Sequence, residues 1–297
     1  MNHFTREQVL RVYRGLTFTH RSRQMRRLEE VNGCPAFVLF YHRIADEHPN
    51  GWTMSCEDFA RQLDWLEANF EVVDLRSIQS RIREGSHRPS VAITFDDGYA
   101  DNADFAIPEL VRRGLPATYF VATDFVIDQK PFPHDVQTGV PLAPNTVEQI
   151  QGFAEAGIEI GAHTRSHCDI GQVLDSKQVE YEIVGSKDIL ESWLGSKIRY
   201  FAFPFGLPEN MTEIGANVIV NAGFDGFCSA YGAINWPEAS PFSTSANGEG
   251  SAFHIRRIHG DPGIERLKNW LTLDPRKLED ASELPFDESK LSLAAAT

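Results

Sequence analysis

Two short polar clusters in this sequence contain the residue types that bind metals and move protons. Asp96 and Asp97 end the apolar run VAITF. His163 and His167 lie four residues apart in the run GAHTRSH. Two imidazoles and one carboxylate can hold a divalent cation and leave a position open for water. A second carboxylate beside them can act as a base, so these four residues predict metal-assisted hydrolysis.

Each cluster also has a plainer interpretation. Asp-Asp-Gly is a common turn sequence in which the side chains cap backbone N–H groups. The spacing of His163 and His167 predicts that they share one side of a helical turn, but in a chain with ten histidines such a pair also arises by chance. Position favours the chemical interpretation, since both clusters directly follow a predicted strand. The carboxyl ends of parallel strands line the sites of α/β proteins.

Strands that alternate with helices are expected from Pro35 to about Asp274. Apolar runs such as CPAFVLFYH, SVAITF and PATYFVAT are typical of buried strands, and VEYEIVGSKDILESWLG is typical of a long helix. This alternation predicts an α/β fold with a parallel sheet, more readily a barrel than an open sheet. We predict an arginine-rich helical extension over residues 1–33, the barrel over 34–274 and a charged, frayed tail over 275–297.

Composition excludes several classes of protein. The formal net charge of −14 argues against nucleic acid as a partner. The cysteines are scattered and form no CxxC pair, so neither a zinc ribbon nor a disulfide framework is expected. No apolar stretch is long enough to span a bilayer, and the first residues do not form a secretory signal, which predicts a cytoplasmic location. The basic N-terminal segment is expected to pack on the barrel, with weak contact to an anionic membrane surface or to a partner as the alternative. The sequence makes no prediction of oligomeric state.

TFDDGY followed by HTRSH resembles the first two motifs of the polysaccharide deacetylase family, carbohydrate esterase family 4, over roughly residues 36–260. The resemblance implies a distorted (β/α)7 barrel with parallel strands. It also implies removal of an N-acetyl group from an amino sugar of a polysaccharide, oligosaccharide or glycan precursor. By this resemblance Asp96 is the catalytic base, and Asp97, His163 and His167 bind a divalent metal, usually Zn²⁺, with Co²⁺ or Mn²⁺ also able to serve. YHRI and FAFPFG are similar to the subgroup whose third motif reads FAYPYG.

The third motif departs from the commoner family pattern RxPY. Its arginine position is Ala202 and its tyrosine position is Phe205. The family's oxyanion donor is the backbone N–H of that aromatic residue, so Phe205 retains it. Arg257, or its neighbour Arg256, is expected to supply the positive charge that braces the catalytic aspartate, with a surface pair of arginines as the alternative.

The family's last motif contributes a histidine as general acid. The resemblance assigns this role to His259, with His254 as the weaker match; the alternative is that His259 is only a polar residue at a strand end. His42 closes the first strand and is expected to support the site or contact substrate, with structural hydrogen bonding as the alternative. Four aromatic residues are expected either to stack on sugar rings or to lie in the core and at the rim. They are Trp52, Tyr99, Phe132 and Trp236.

Two other functions compete with N-deacetylation. The first is a deformylase or amidohydrolase that acts on a lipid-linked or nucleotide-linked sugar or another small amide, which suits a chain without an export signal. The second is a catalytically inactive barrel that binds carbohydrate. The missing motif arginine favours this second alternative, and the intact set of two aspartates and two histidines opposes it.

Overall fold

The computed structural model describes residues 3–243, 252–260, 263–276, 278, 284–286 and 291, with side chains from residue 6 onward. Most of the predicted C-terminal tail, residues 275–297, lies outside these ranges. A curved parallel sheet forms the centre of the fold, and helices pack around it. Within the same ranges, no helix combines the length and the apolar character that crossing a bilayer requires.

The strands and helices alternate along most of the chain. The strands are β1 (Ala36–Tyr41), β2 (Arg43–Ile44), β3 (Thr53–Met54), β4 (Glu71–Val72), β5 (Ser90–Phe95), β6 (Ala117–Val121), β7 (Glu159–Ala162), β8 (Tyr200–Ala202), β9 (Gly226–Cys228), β10 (His254–Ile255) and β11 (Ile258–His259). The α-helices are α1 (His3–Glu30), α2 (Cys56–Asn69), α3 (Leu75–Glu84), α4 (Ala106–Arg113), α5 (Thr123–Asp128), α6 (Pro133–Thr138), α7 (Val147–Glu155), α8 (Ser176–Leu194), α9 (Glu213–Asn221) and α10 (Ile264–Leu271). Short 3₁₀ helices span Ala100–Ala103, Ile170–Gln172 and Pro208–Asn210.

The main sheet follows the order β10-β9-β8-β7-β6-β5-β1-β11, and every neighbouring pair is parallel. β10 and β11 are two parts of one short segment, residues 254–259. Its first part pairs with β9 and its second with β1, so this segment joins the two edges of the sheet. With β1, β5, β6, β7, β8 and β9 it gives seven strand positions, and the predicted distorted (β/α)7 barrel is confirmed.

The central strands are buried along their whole length, as their continuous apolar runs predict. The register pairs Tyr41 with Phe95 and Val121 with Ala162. Because the strands are parallel, their last residues lie at one edge of the sheet. The polar residues that follow β1, β5 and β7 therefore meet at this carboxyl edge.

Capping residues fix the ends of several helices around the sheet. Ser55 caps α2 by accepting a hydrogen bond from the backbone N–H of Asp58. Thr146 and Gln149 form a capping box at the start of α7. α8 ends at Gly195, whose left-handed φ of 63° suits a residue without a Cβ.

Candidate active site

Asp96 and Asp97 form a tight turn directly after β5. Both are buried. Asp97 has a left-handed φ of 76°, and Gly98 follows at 102°. This turn is closed by a hydrogen bond of 3.0 Å from the Gly98 N–H to the carbonyl of Asp96. The two adjacent carboxylates therefore face different partners, although they are neighbours in sequence.

The carboxylate of Asp97 faces two imidazoles. Its Oδ1 atom lies 3.4 Å from Nε2 of His163 and 3.1 Å from Nε2 of His167. One ligand atom from each of the three residues lies within 4.8 Å of the others. Donor atoms around one tetrahedral zinc, each at about 2.0–2.1 Å, are separated by about 3.3 Å. The cluster thus has both the donor set and the spacing of a metal site.

The hydrogen bonds of this cluster also suit a cation. Nδ1 of His163 lies 2.7 Å from the carbonyl of Ala202, which can only accept, so Nδ1 carries the proton and Nε2 presents its lone pair. Within the part of the chain that the structure describes, no well-oriented hydrogen bond reaches the buried Oδ1 of Asp97. Burial raises the pKa of Asp97, but with no cation bound, protonated imidazoles, that of His167 first, outweigh it and hold the pKa well below its usual value.

The loop that carries the two histidines is not helical, so the prediction of a shared helical turn is wrong. β7 ends at Ala162, and irregular backbone follows, with φ values of 61° at Thr164 and 55° at His167. These left-handed residues fold the loop back, and so bring both imidazoles to Asp97. The two histidines thus lie close together in an irregular turn, and not on one side of a helix.

Glu182 of α8 supports this loop from behind. Its buried carboxylate accepts hydrogen bonds from the backbone N–H groups of Arg165, at 3.0 Å, and Ser166, at 2.9 Å. It also accepts one from the Ser166 hydroxyl at 2.8 Å. The peptide groups between the two histidines are thereby fixed. No local pattern in the sequence marks Glu182, because a glutamate in a helix usually faces solvent.

Asp96 is held by Arg257. Nη1 and Nη2 of Arg257 lie 2.7 Å and 2.8 Å from Oδ1 and Oδ2 of Asp96. The arginine is fully buried, and its Nε donates to the carbonyl of Ser229 at 2.8 Å. Burial raises the pKa of Asp96, and the charge of Arg257 more than reverses this, so the pKa is lowered. Asp96 is therefore ionised and fixed in orientation.

The two arginines between β10 and β11 have different surroundings. The guanidinium of Arg257 lies between the rings of Phe40 and Phe120, 5.0 Å and 5.3 Å from their centroids. The backbone of Arg256 instead binds the side chain of Asn235. The Arg256 N–H donates to Oδ1 of Asn235, and Nδ2 of Asn235 donates to the Arg256 carbonyl, both at 2.8 Å. Of the two candidates, Arg257 is the one that reaches Asp96. Ala202, at the motif's arginine position, contributes its carbonyl to His163 instead of a charge.

Phe205 lies at the mouth of the site. Its ring centroid is 5.2 Å from that of His167, and 57% of its surface is exposed. The backbone has a left-handed φ of 62°, which is uncommon for a bulky residue. The structure therefore places Phe205 against His167, in a backbone conformation of the kind that is held in place at binding sites.

His259 is the last residue of β11 and pairs with Phe40 of the neighbouring strand β1. Its ring packs against Phe40, with centroids 4.9 Å apart, and against His42, at 5.9 Å. His42 in turn packs against the half-exposed Trp52 at 5.2 Å. The charge of His42 makes a small contribution to lowering the pKa of both aspartates, after larger contributions from other groups. His254 is buried, stacks on Phe227 and contacts the Ser229 hydroxyl at 2.8 Å.

The segment around α6 forms another wall of the site. Phe132 is buried and its ring packs edge-on against His167 at 5.6 Å. The hydroxyl of Tyr99 donates to the buried carboxylate of Asp135 at 2.9 Å and lies 2.8 Å from Nε2 of His134. Tyr99 and Phe132 are thus core residues, and neither offers an open ring face to a sugar. No motif in the sequence marks Asp135.

Part of this chain is similar in sequence to the members of a known protein family. A family model described as "Polysaccharide deacetylase" matches residues 83–226. This range contains Asp96, Asp97, His163, His167 and Phe205. A curated relative from Bacillus subtilis (strain 168), named "Putative polysaccharide deacetylase YxkH", is 28% identical over 172 residues. That alignment covers 57% of this chain and 56% of the relative, so the match spans little more than half of the relative's length.

Solved structures share the fold. The deacetylase PplD of Streptococcus pyogenes, solved in complex with acetate, has a TM-score of 0.63 at 20% identity, covering 80% of this chain and 99% of PplD. IcaB from Ammonifex degensii has a TM-score of 0.64 at 21% identity, covering 83% of this chain and 98% of IcaB. At these identities the likeness establishes the fold.

Proposed function

Because this chain belongs, through residues 83–226, to the polysaccharide deacetylase family, we propose that it removes the N-acetyl group from an amino sugar of a polysaccharide, oligosaccharide or glycan precursor. The observation that carries the proposal is the cluster of Asp97, His163 and His167 beside an Asp96 that Arg257 holds ionised. These side chains combine a cation site with a separate carboxylate base. This combination suits hydrolysis of an amide by an activated water molecule.

Asp97, His163 and His167 would hold a divalent cation, with Zn²⁺ as the proposed metal and Co²⁺ or Mn²⁺ as alternatives. When bound, such a cation supplies a Lewis acid that polarises the acyl carbonyl and makes water a better nucleophile near neutral pH. His163 is oriented for this purpose by the carbonyl of Ala202, and the loop that carries it by Glu182. The chain thus fixes the ligands before a cation arrives.

Asp96 would accept the proton of the attacking water. The ion pair with Arg257 keeps its carboxylate charged in a buried position, where an isolated carboxyl would be neutral. The same ion pair lowers its basicity. The proton therefore has to pass onward during the reaction, and cannot accumulate on Asp96.

The backbone N–H of Phe205 is the proposed oxyanion donor. Its residue lies beside His167 at the mouth of the site, which is where the acyl group would enter. One such donor, placed for the developing negative charge, is worth about 3–4 kcal/mol in other hydrolases. The exposed ring of Phe205 could then contact the sugar that carries the acyl group.

A histidine would protonate the departing amine. We assign this role to His259, and His42 is the second candidate because its charge influences both aspartates. The two rings lie 5.9 Å apart, so both belong to the same wall of the site. Substitution of each histidine in turn by alanine distinguishes the two candidates.

The proposal is tested by measuring acetate release from N-acetylglucosamine oligomers. Release is expected to require a divalent metal, to stop with a chelator and to return when Zn²⁺, Co²⁺ or Mn²⁺ is added. Asp96→Asn should abolish release without loss of the metal. Sustained turnover in the metal-free protein would contradict the proposal.

The same assay separates the two alternatives. Formate release from N-formyl sugars, with no acetate release from the acetylated counterparts, would identify a deformylase. Parallel assays with lipid-linked and nucleotide-linked N-acetyl sugars test the smaller substrates. Binding of oligosaccharide without turnover in the presence of all three metals would identify an inactive carbohydrate-binding barrel.

A further inference from the structure

A row of apolar side chains on α1 faces solvent. The exposed fractions are 53% for Val9, 61% for Val12 and 82% for Leu16. Their spacing of three and four residues places them on one side of the helix. We call these three residues the outer row. Large apolar side chains in such a row cost free energy in water unless a partner covers them.

The same helix is strongly basic. It carries seven arginines against three glutamates, in a chain whose formal net charge is −14. Five of the arginines are exposed: one precedes the outer row in sequence, one lies within its span and three follow it. They are Arg6, Arg11, Arg23, Arg26 and Arg27. Positive charge is thus concentrated beside exposed apolar surface, on a protein that is acidic overall.

The opposite side of α1 is anchored to the barrel. Arg21 is buried and donates to the carbonyl of Asn269 at 2.9 Å. Arg14 forms an ion pair with Glu265 at 2.7 Å. Glu7 accepts a hydrogen bond from the backbone N–H of Glu265 at 3.2 Å. Because these contacts fix the rotation of the helix, the outer row cannot turn inward.

We propose that α1 binds the surface of an anionic membrane, with the outer row inserted among the lipid headgroups and the exposed arginines on lipid phosphates. Exposed arginines are attracted to the phosphates of anionic lipids, and exposed apolar side chains beside them can enter the headgroup region. A second copy of this chain fits less well, because the exposed arginines of two copies would repel each other. The acidic remainder of the protein is repelled by anionic lipid, so contact is confined to α1. This inference does not depend on the proposed enzymatic activity.

The proposal is tested by flotation of the full chain with vesicles. One preparation contains equal parts of phosphatidylglycerol and phosphatidylcholine, and the other contains phosphatidylcholine alone. The protein should float with the first at low salt, weakly with the second, and less as salt rises. Val9→Ser, Val12→Ser and Leu16→Ser together should reduce binding by about tenfold or more.

A matched control changes exposed apolar residues on other elements, Val111→Ser, Leu174→Ser and Ile214→Ser together. This control should float like the wild type. Circular dichroism and thermal melting verify that both triple variants are folded. Arg23→Gln with Arg26→Gln should weaken binding and its dependence on salt.

Three results would overturn the proposal. They are the absence of flotation with phosphatidylglycerol at low salt, equal flotation of the outer-row variant and the wild type, and equal loss in the control variant. If light scattering shows a dimer that the outer-row variant loses, and vesicles are not bound, the outer row is an interface between copies instead.

Discussion

The guanidinium of Arg257 and the carboxylate of Asp96 form a bidentate ion pair that spans strand β1. Asp96 follows β5, Arg257 precedes β11, and β1 lies between these strands in the sheet. The segment with Arg257 also joins the two edges of the sheet. The ion pair therefore links the proposed base to the segment that closes the barrel. Its removal should lower both the catalytic rate and the stability of the folded protein.

Arg257→Met should lower the free energy of unfolding by about 3–5 kcal/mol, because it leaves the buried charge of Asp96 uncompensated. Adding Asp96→Asn to this variant should recover part of the loss, since no ionised carboxylate then remains. Chemical denaturation of the metal-free proteins gives both values. Strict additivity of the two substitutions would show that the ion pair contributes nothing beyond its separate members.

Glu182→Gln should weaken metal binding by about 10–100-fold, as the loss of groups that support ligands does elsewhere. The substitution retains the size of the side chain but weakens its hydrogen bonds to the N–H groups of Arg165 and Ser166. Titration with Zn²⁺ measures the change. Glu180→Gln, at an exposed position of the same helix, is the control and should bind Zn²⁺ like the wild type.

His259→Ala should reduce kcat by about 10²–10⁴-fold on an N-acetyl substrate if His259 is the general acid. An acetyl ester with a good leaving group needs no protonation and should lose much less. Metal content should not change. His42→Ala is the comparison, and a stronger dependence on the leaving group in that variant would assign the acid role to His42.

Glu109 should contribute to stability in a manner that depends on pH. Its hydrogen bonds to Arg112 and Arg113 lower its pKa from 4.5 to about 2. A carboxyl with a lowered folded-state pKa stabilises fully above its unfolded pKa, and the contribution is lost as pH falls from 4.5 towards 2.

Glu109→Gln should therefore destabilise the protein by about 1 kcal/mol near pH 7, since solvent screens this network. The difference from the wild type should shrink by roughly half by pH 3. Denaturation curves at several pH values measure it. A difference that is constant over this range would show that the charge of Glu109 is not responsible.

Sequence patterns predicted the fold and the meeting of two strand ends, because both depend on local signals. Buried apolar runs identify β5 and β7, and parallel strands bring their carboxyl ends to one edge. Asp97 and the two histidines are brought together for this reason. The choice between Arg256 and Arg257 could not be made from sequence, since it depends on which side of the segment between β10 and β11 faces Phe40 and Phe120.

Other parts of the site depend on contacts between residues distant in sequence. Glu182 supports the histidine loop from a helix that begins after that loop, and the Ala202 carbonyl fixes His163 through an atom that every residue has. The positive φ values at Thr164 and His167 replaced the expected helical turn. None of these features has a local pattern in the chain.

The most direct test of the account is the metal content of the purified protein and its variants. The wild type should bind one equivalent of Zn²⁺, and Asp97→Ala, His163→Ala and His167→Ala should each lose most of it. His259→Ala, which removes a histidine outside the cluster, should retain it. Equal metal content in the wild type and in all three cluster variants would show that these side chains do not share a cation.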